Sequence, residues 1–404
     1  FFLLLFLFIS YIKYNFAKKR RQRIMKIFYL YTSLTTKGGA DRILSVKANW
    51  LAAHGYDVTF VTDSQMGRTP IFPLDRGVRF IDLGINFELQ YSYSLPVRFI
   101  MYRKMIKKYQ KKLSALLYKE TPDIVITTLG REMDFLTSIK DGSIKLGESH
   151  IARQFTRNFH LLEQRGLIYR IVAKYWRRKQ ADAVSKLDGL VLLTSRDERG
   201  WQNVTQKTFV IPNPLTFNTR AVSTCTNKRI ISVGRLTEQK GYEYLLEAWR
   251  MIANKHSDWK LDIFGEGELK NELSSLIEHL GIGNTVKINP PTDSIDKEYA
   301  NSSIYVMSSR FEGFGLVLTE AMECGLPCVS FDCPYGPREI IKNGEDGFLV
   351  DYLNVKELAN TICKLIENDN LRKAMGLKAK NNVQRFNQDI VMQKWTSLFS
   401  QLKS

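Results

Sequence analysis

Short apolar runs, each closed by glycine or a polar loop, alternate with stretches of helical period from residue 26 onward. Lys26-Ile27-Phe28-Tyr29-Leu30 reads as a buried strand, and a polar loop ending in Lys37-Gly38-Gly39 follows it. Ala40 to His54 places Ile43, Val46, Trp50 and Leu51 on one helical face, with Gly55 as the expected C-cap. Asp57 to Thr62 is a second β-rich run, so the chain opens as a βαβ unit, the building block of parallel sheets. Further strands are expected at Val78–Leu83, Asp123–Thr128, Ile144–Leu146 and Gly189–Leu193. Val210-Ile211-Pro212-Asn213-Pro214 interrupts the series, because two prolines forbid regular structure there. After the polar stretch Thr216–Asn227 a second strand-loop-helix series begins with Arg229–Val233. With 404 residues, the chain fits two α/β domains better than one core.

Charge adds a contrast between the halves. Residues 1–212 carry 36 Lys and Arg against 17 Asp and Glu, whereas residues 213–404 carry 23 against 24. The positive field therefore belongs to one half, where nucleic acid, an anionic bilayer and a phosphorylated acceptor are its candidate partners. Two basic amphipathic helices favour the bilayer over nucleic acid. Arg98 to Tyr118 sets Ile100, Met105, Tyr109 and Leu116 among Arg103, Lys104, Lys107, Lys108, Lys111 and Lys112, and Tyr169 to Gln180 sets Tyr169, Ile171, Val172, Tyr175 and Trp176 among five cations. Such a stripe serves a protein core or a membrane surface equally well on pattern alone. Five cysteines without a C-x-x-C pair suggest neither a disulfide framework nor a zinc knuckle, and a cytoplasmic setting follows. Residues 1–24, apolar and then basic, read either as the tail of a membrane anchor or as a stretch ahead of the fold, which is expected to start at Met25.

Three stretches carry the chemistry. Gly234-Arg235-Leu236-Thr237-Glu238-Gln239-Lys240-Gly241 runs from a strand into a helix at Tyr242. Free amides at a helix start favour an anion, and Arg235 and Lys240 add a fork and a point charge suited to a diphosphate. Lys260–Phe264 leads into Gly265-Glu266-Gly267-Glu268, where small residues admit a ligand close to the backbone. The strand Ile304–Met307 exits into Ser308-Ser309-Arg310-Phe311-Glu312-Gly313-Phe314-Gly315 and a helix from Leu316 to Cys324. Glu312 and Glu320 stand eight positions apart there, placed to accept polyol hydroxyls beside amides that hold phosphate.

The motif series Gly-Arg-x4-Lys-Gly, Gly-Glu-Gly and Ser-Arg-x-Glu-Gly-Phe-Gly-x4-Glu-Ala resembles the retaining glycosyltransferases of the group 1 class, glycosyltransferase family 4. The likeness is dense from Ile230 to Val350. In the first half it rests on Lys37-Gly38-Gly39-Ala40 and Glu148-Ser149-His150. The resemblance implies a GT-B fold, an α/β architecture of two Rossmann-like domains facing across a cleft. The expected divisions are an extension at 1–24, an acceptor domain at 25–212, a nucleotide-sugar domain at 213–384 and a helix at 385–404 that packs back on the first domain. It implies that Arg235 and Lys240 bind the donor diphosphate, that Glu312 hydrogen-bonds the donor sugar and that Glu320 takes the ribose hydroxyls. Gly234, Gly265, Glu266, Gly267, Gly313 and the amides of Phe314, Gly315 and Leu316 would line phosphate or sugar. Gly38 and Gly39 would border the donor phosphate or the acceptor, and His150 would sit near the transferred sugar.

The implied substrate is a nucleotide sugar, with UDP favoured by the loop Asp332 to Ile341, and no permanent cofactor. The sequence contains no Asp-x-Asp element, so protein cations rather than a metal are expected to support the leaving group. The acceptor would be a saccharide or lipid-linked saccharide of surface polysaccharide assembly, at the inner face of the cytoplasmic membrane. Two other readings remain open on the residues. One is an NAD-dependent oxidoreductase, since Asp63 ends the second strand where a ribose-binding acid would sit. The other is a non-catalytic membrane-surface binding protein built on the cationic half.

Overall fold

The computed structural model describes residues 24–158, 163, 166–217 and 219–403, so the extension expected at 1–24 lies almost wholly outside the described residues. Among the described residues thirteen strands form two sheets, seven-stranded in the order β3-β2-β1-β4-β5-β6-β7 and six-stranded in the order β10-β9-β8-β11-β12-β13. The described residues fall into two compact units, those up to residue 37 with 44–145, and residues 38–43 with those from 146 onward.

The first unit is built on β1 (Lys26–Tyr31), β2 (Asp57–Thr62), β3 (Val78–Asp82) and β4 (Ile124–Thr127). β1 pairs in parallel with β2 from Lys26↔Asp57 and with β4 from Ile27↔Ile124, so the connections must cross over. β4 reads IVIT and is buried throughout, as a strand covered on both faces should be. The long helix Leu95–Glu120 starts with Pro96 in its first turn, where a missing N–H costs nothing. Its buried residues Met105, Tyr109, Leu113 and Leu117 recur every fourth position and join Phe28, Leu30, Val61 and Val125 in the core. Ile100, expected on that stripe, is 55% exposed, and Leu116 only half-buried. A four-residue spacing continued back from Met105 reaches Met101, so Ile100 falls off the core face.

The second unit contains β5 (Ile144–Ser149), of which all but the first two residues belong here, with β6 (Gly189–Leu192) and β7 (Thr208–Val210). It also holds the whole second sheet: β8 (Arg229–Val233), β9 (Lys260–Phe264), β10 (Val286–Asn289), β11 (Ile304–Met307), β12 (Cys328–Phe331) and β13 (Gly347–Val350). β7 and β10 were not anticipated. Each is short and only partly buried, and so lacks a clean apolar run.

The helix Leu167–Ser185 is longer than its periodicity predicts, and it leaves Tyr169, Ile171, Val172 and Tyr175 exposed. Its buried positions are instead Ala173, Gln180 and Val184. The last helix, Gln388–Lys403, buries Val391, Met392, Trp395, Leu398 and Phe399 and leaves Ile390 exposed. All five cysteines are free thiols, and burial pushes Cys324 up to about 12.

Candidate active site

The site is built at the C-terminal ends of β8, β9 and β11, where parallel sheets place their ligand loops. Two of its loops touch backbone to backbone. Leu236 N–H donates to the Glu266 carbonyl at 2.8 Å, and Leu269 N–H returns to the Leu236 carbonyl at 3.0 Å. A Cβ on Gly265 would lie 1.9 Å from the Gly234 oxygen, and one on Gly267 would lie 2.4 Å from the Leu236 oxygen. Glycine is therefore required by approach distance at both positions. Gly241 adds a left-handed φ of 57° and a Cβ position 2.4 Å from the Ser308 oxygen.

The third loop is laced to the first. Arg310 N–H donates to the Gln239 carbonyl at 2.8 Å, Gln239 Nε2 to the Phe311 carbonyl at 3.0 Å, and Ser308 Oγ to the Lys240 carbonyl at 3.0 Å. These bonds deliver Lys240 to Glu312: Nζ lies 2.7 Å from Oε1, which also accepts from Ser309 Oγ at 2.7 Å. Both partners are nearly buried, with 14% and 8% of their side chains exposed, so little water screens the pair. Arg235, by contrast, is exposed and points no hydrogen bond at any described residue.

Gly313 sits against His150. A Cβ there would be 2.3 Å from the His150 carbonyl oxygen. His150 is 11% exposed, and its Nε2 lies 3.2 Å from the Glu148 Oε1. Gly315 caps the helix Leu316–Glu323 with φ 99°, which leaves the amides of that helix start without a side-chain cap. Glu320 lies one turn further in and is buried; its Oε1 accepts from Thr216 Oγ1 at 2.7 Å and from Arg42 Nη1 at 3.0 Å. Burial raises the Glu320 carboxyl above its ordinary value, opposed by the Arg42 charge and the Thr216 bond. Gly39 approaches the same helix, since a Cβ there would be 2.8 Å from Leu316 Cδ1.

The second unit thus gathers Gly39, His150, Gly234, Lys240, Gly265, Gly267, Glu312, Gly313, Gly315, Leu316 and Glu320, while Arg235 and Glu266 face solvent. Gly38 precedes the helix Gly39–Ala53, which carries Arg42, and the Arg42 N–H donates to the Gly38 carbonyl at 3.2 Å. Phe314 is buried, its ring edge-on to Phe386 at 5.4 Å. Sequence reasoning missed the roles of Arg42 and Thr216, and it named Ser309 and Glu148 only as parts of motifs. Ser309 was legible three residues before Glu312. Arg42 and Thr216 were not, since they are 278 and 104 positions from the carboxylate they serve.

A family model described as glycosyl transferases group 1 matches residues 220–382. A protein of Haemophilus influenzae described as an uncharacterized glycosyltransferase is 30% identical over 378 residues, which is 92% of this chain and 99% of that one. The amylovoran biosynthesis glycosyltransferase AmsD of Erwinia amylovora is 26% identical over 384 residues, 93% of this chain and 99% of its own. Among solved structures, a TarM mutant of S. aureus in complex with fondaparinux, alpha-GlcNAc-glycerol and UDP superposes with a TM-score of 0.73. It is 18% identical, covering 93% of this chain and 100% of that one.

The fold is GT-B, with two Rossmann-like α/β domains. The chain belongs to the group 1 glycosyltransferases and is a glycosyltransferase. That membership leaves the dehydrogenase reading without support, and the non-catalytic one likewise.

Proposed function

We propose that the protein transfers a hexose or N-acetylhexosamine from a UDP-sugar to a saccharide or lipid-linked saccharide acceptor, with retention of anomeric configuration, as in family 4. The observation that carries this reading is the pair of buried carboxylates, Glu312 and Glu320, flanking an uncapped helix start beside Lys240. Glu320 presents a polyol acceptor already aimed by Arg42 and Thr216, which suits the ribose hydroxyls. Glu312 suits the donor sugar, and His150 borders it. TarM is seen with UDP, which supports a UDP donor, and AmsD is named for amylovoran biosynthesis, which supports a polysaccharide product.

The chemistry follows from where charge develops. Glycosyl transfer passes through an oxocarbenium-like state while negative charge collects on the departing diphosphate. Arg235, Lys240 and the amides of Phe314, Gly315 and Leu316 stabilise that leaving group in a partly dry site, where fixed dipoles act most strongly. The sugar is attacked on the face the diphosphate leaves, and the departing phosphate takes the acceptor's proton. Residues 25–212 then serve the acceptor and residues 213–384 the donor, with the helix at 385–404 docking on the former. The cationic half gives the enzyme a peripheral position at the cytoplasmic face of an anionic membrane.

The test is transfer from UDP-glucose, UDP-galactose and UDP-N-acetylglucosamine to a lipid-linked saccharide extract, followed by NMR of the new anomeric centre. A retained linkage, undiminished in EDTA and lost in Lys240→Ala, is expected. An inverted linkage, or activity that EDTA abolishes, contradicts the mechanism.

A further inference from the structure

A cluster of ligating side chains lies in the second unit, away from the donor loops. The helix Tyr242–Ala253 buries Leu245, Leu246, Trp249 and Ile252, and the helix Val355–Ile366 buries Leu358, Ile362 and Leu365. The two helices pack together and share one core. Just past the end of the first, His256 N–H donates to the Ile252 carbonyl at 2.9 Å, which holds the histidine at the helix end. At the end of the second, Glu367 N–H donates to the Cys363 carbonyl at 2.9 Å. Cys363 and Glu367 therefore stand one turn apart on the same face. His256 Nε2 reaches Glu367 Oε1 at 3.0 Å, and the ligand atoms of His256, Cys363 and Glu367 all lie within 4.8 Å of one another. His256 and Cys363 are half-buried, while 59% of the Glu367 side chain is exposed and so has room to swing.

The surroundings favour a cation. Both helices point their C-terminal ends at the cluster, and carbonyl dipoles leave partial negative charge there. Glu367 is itself the C-cap of its helix, the end at which a carboxylate is least favoured. Burial and the Glu367 charge raise the Cys363 thiol, against the opposing charge of Lys255. A metal ion among the three groups offsets the dipoles, pairs the carboxylate and holds the sulfur as thiolate. An ion pair of His256 with Glu367 accounts for two of the groups and leaves the sulfur out. Asp258 also senses His256 but is bonded to Lys228, so it is not counted as a ligand.

The donor set selects the ion. Magnesium and calcium take oxygen ligands, whereas sulfur, imidazole nitrogen and carboxylate oxygen together suit zinc. Tetrahedral zinc, with bonds of about 2.0–2.3 Å, spaces its ligand atoms roughly 3.3–3.8 Å apart. A small turn of the exposed Glu367 brings the cluster to that spacing. We propose that His256, Cys363 and Glu367 form a zinc site, with water in the fourth position, that staples the ends of the two helices. Binding forms the sulfur–zinc bond, and the thiol proton leaves to solvent. The helix Tyr242–Ala253 starts at the donor loop and runs 12 residues away from it, about 18 Å. The ion thus stands clear of the transfer chemistry, and the inference does not rest on the transferase reading. Cys363 and Glu367 form a local pair in the sequence, but His256 is 111 positions from Glu367 and only the fold supplies it.

The experiment titrates cobalt(II), a spectroscopic stand-in for zinc, into the reduced full chain. One ion per chain is expected, with a thiolate-to-cobalt charge-transfer band that added zinc abolishes. Cys363→Ser should lose that band, and His256→Ala should weaken cobalt binding by roughly tenfold or more. Zinc should raise the unfolding temperature of wild type and not of Cys363→Ser, whose cooperative melting also reports that it folds. Failure to bind cobalt, binding without the charge-transfer band, or a band that survives Cys363→Ser overturns the site. An equal zinc-induced shift in wild type and Cys363→Ser overturns it as well. Displacement of the cobalt by excess magnesium overturns the choice of ion.

Discussion

At the scale of single residues, two buried carboxylates, Glu320 and Asp63, make separate predictions. Glu320 anchors Arg42 and Thr216 as well as offering itself to a ligand. Glu320→Ala should therefore cost about 1–3 kcal/mol of stability from the groups left unpaired. It should also weaken nucleotide binding at least tenfold, measured by denaturant unfolding and titration of UDP.

Asp63 tests burial alone. Burial lifts its carboxyl to about 7, against the smaller lowering effects of Ser64 and Arg131. Unfolded chains release that proton near ~3.9. Between these values the folded state holds a proton that the unfolded state has lost, so this contribution is whole at low pH and disappears as pH rises towards 7. Asp63→Asn, which cannot ionise, should flatten the fall in unfolding free energy between pH 4 and 7 relative to wild type. An unchanged slope would place the titration elsewhere. Glu312, Glu320, Lys240 and His150 were all legible in the sequence because each sits in a local motif. Arg42 and Thr216 were not, because only the fold brings them to Glu320.

At the scale of elements, the strands were the easy part. Parallel strands buried on both faces read as apolar runs, and β1, β2, β8, β9, β11 and β12 fall where those runs do. The helices were harder, since an apolar residue on a basic helix has two destinations. In Leu95–Glu120 the core stripe is Met105, Tyr109, Leu113 and Leu117, while Val97, Phe99 and Ile100 remain exposed near the other end. Periodicity finds the stripe and cannot say which residues lie outside it.

The loops make the sharper prediction, because their glycines are set by backbone contact. Gly265→Ala forces a methyl to within 1.9 Å of the Gly234 oxygen, where no rotamer change relieves it. Displacing the Gly234 loop should cost about 1–3 kcal/mol or more. UDP binding should be lost with it. Gly281→Ala is the control: no heavy atom lies within 4 Å of its Cβ position, and its φ of 67° adds only local strain. It should lower stability modestly and leave UDP affinity intact, as calorimetric titration would reveal.

At the scale of the whole molecule, the sequence already divided the chemistry into a cationic first half and a neutral second. No helix among the described residues is long and apolar enough to cross a membrane. Between Arg98 and Lys112 the chain carries seven cations and no acid. Each basic residue near an anionic surface adds about 1 kcal/mol, and the effect dies within a Debye length. Sedimentation with phosphatidylglycerol vesicles should therefore carry the protein down at 20 mM salt and release it at 500 mM. Absence from the pellet at low salt would remove the membrane from the account.

The central claim is that the loops after β8, β9 and β11 form a nucleotide-sugar site centred on Glu312 and Glu320. Its most direct test is a thermal-unfolding screen of UDP, GDP, ADP and NAD against wild type and Glu320→Ala. A ligand at 100 times its dissociation constant stabilises the folded state by about 2.7 kcal/mol, which such a screen resolves. The account predicts stabilisation by UDP, sharply reduced in Glu320→Ala. Stabilisation by NAD alone, or by none of the four, would contradict it.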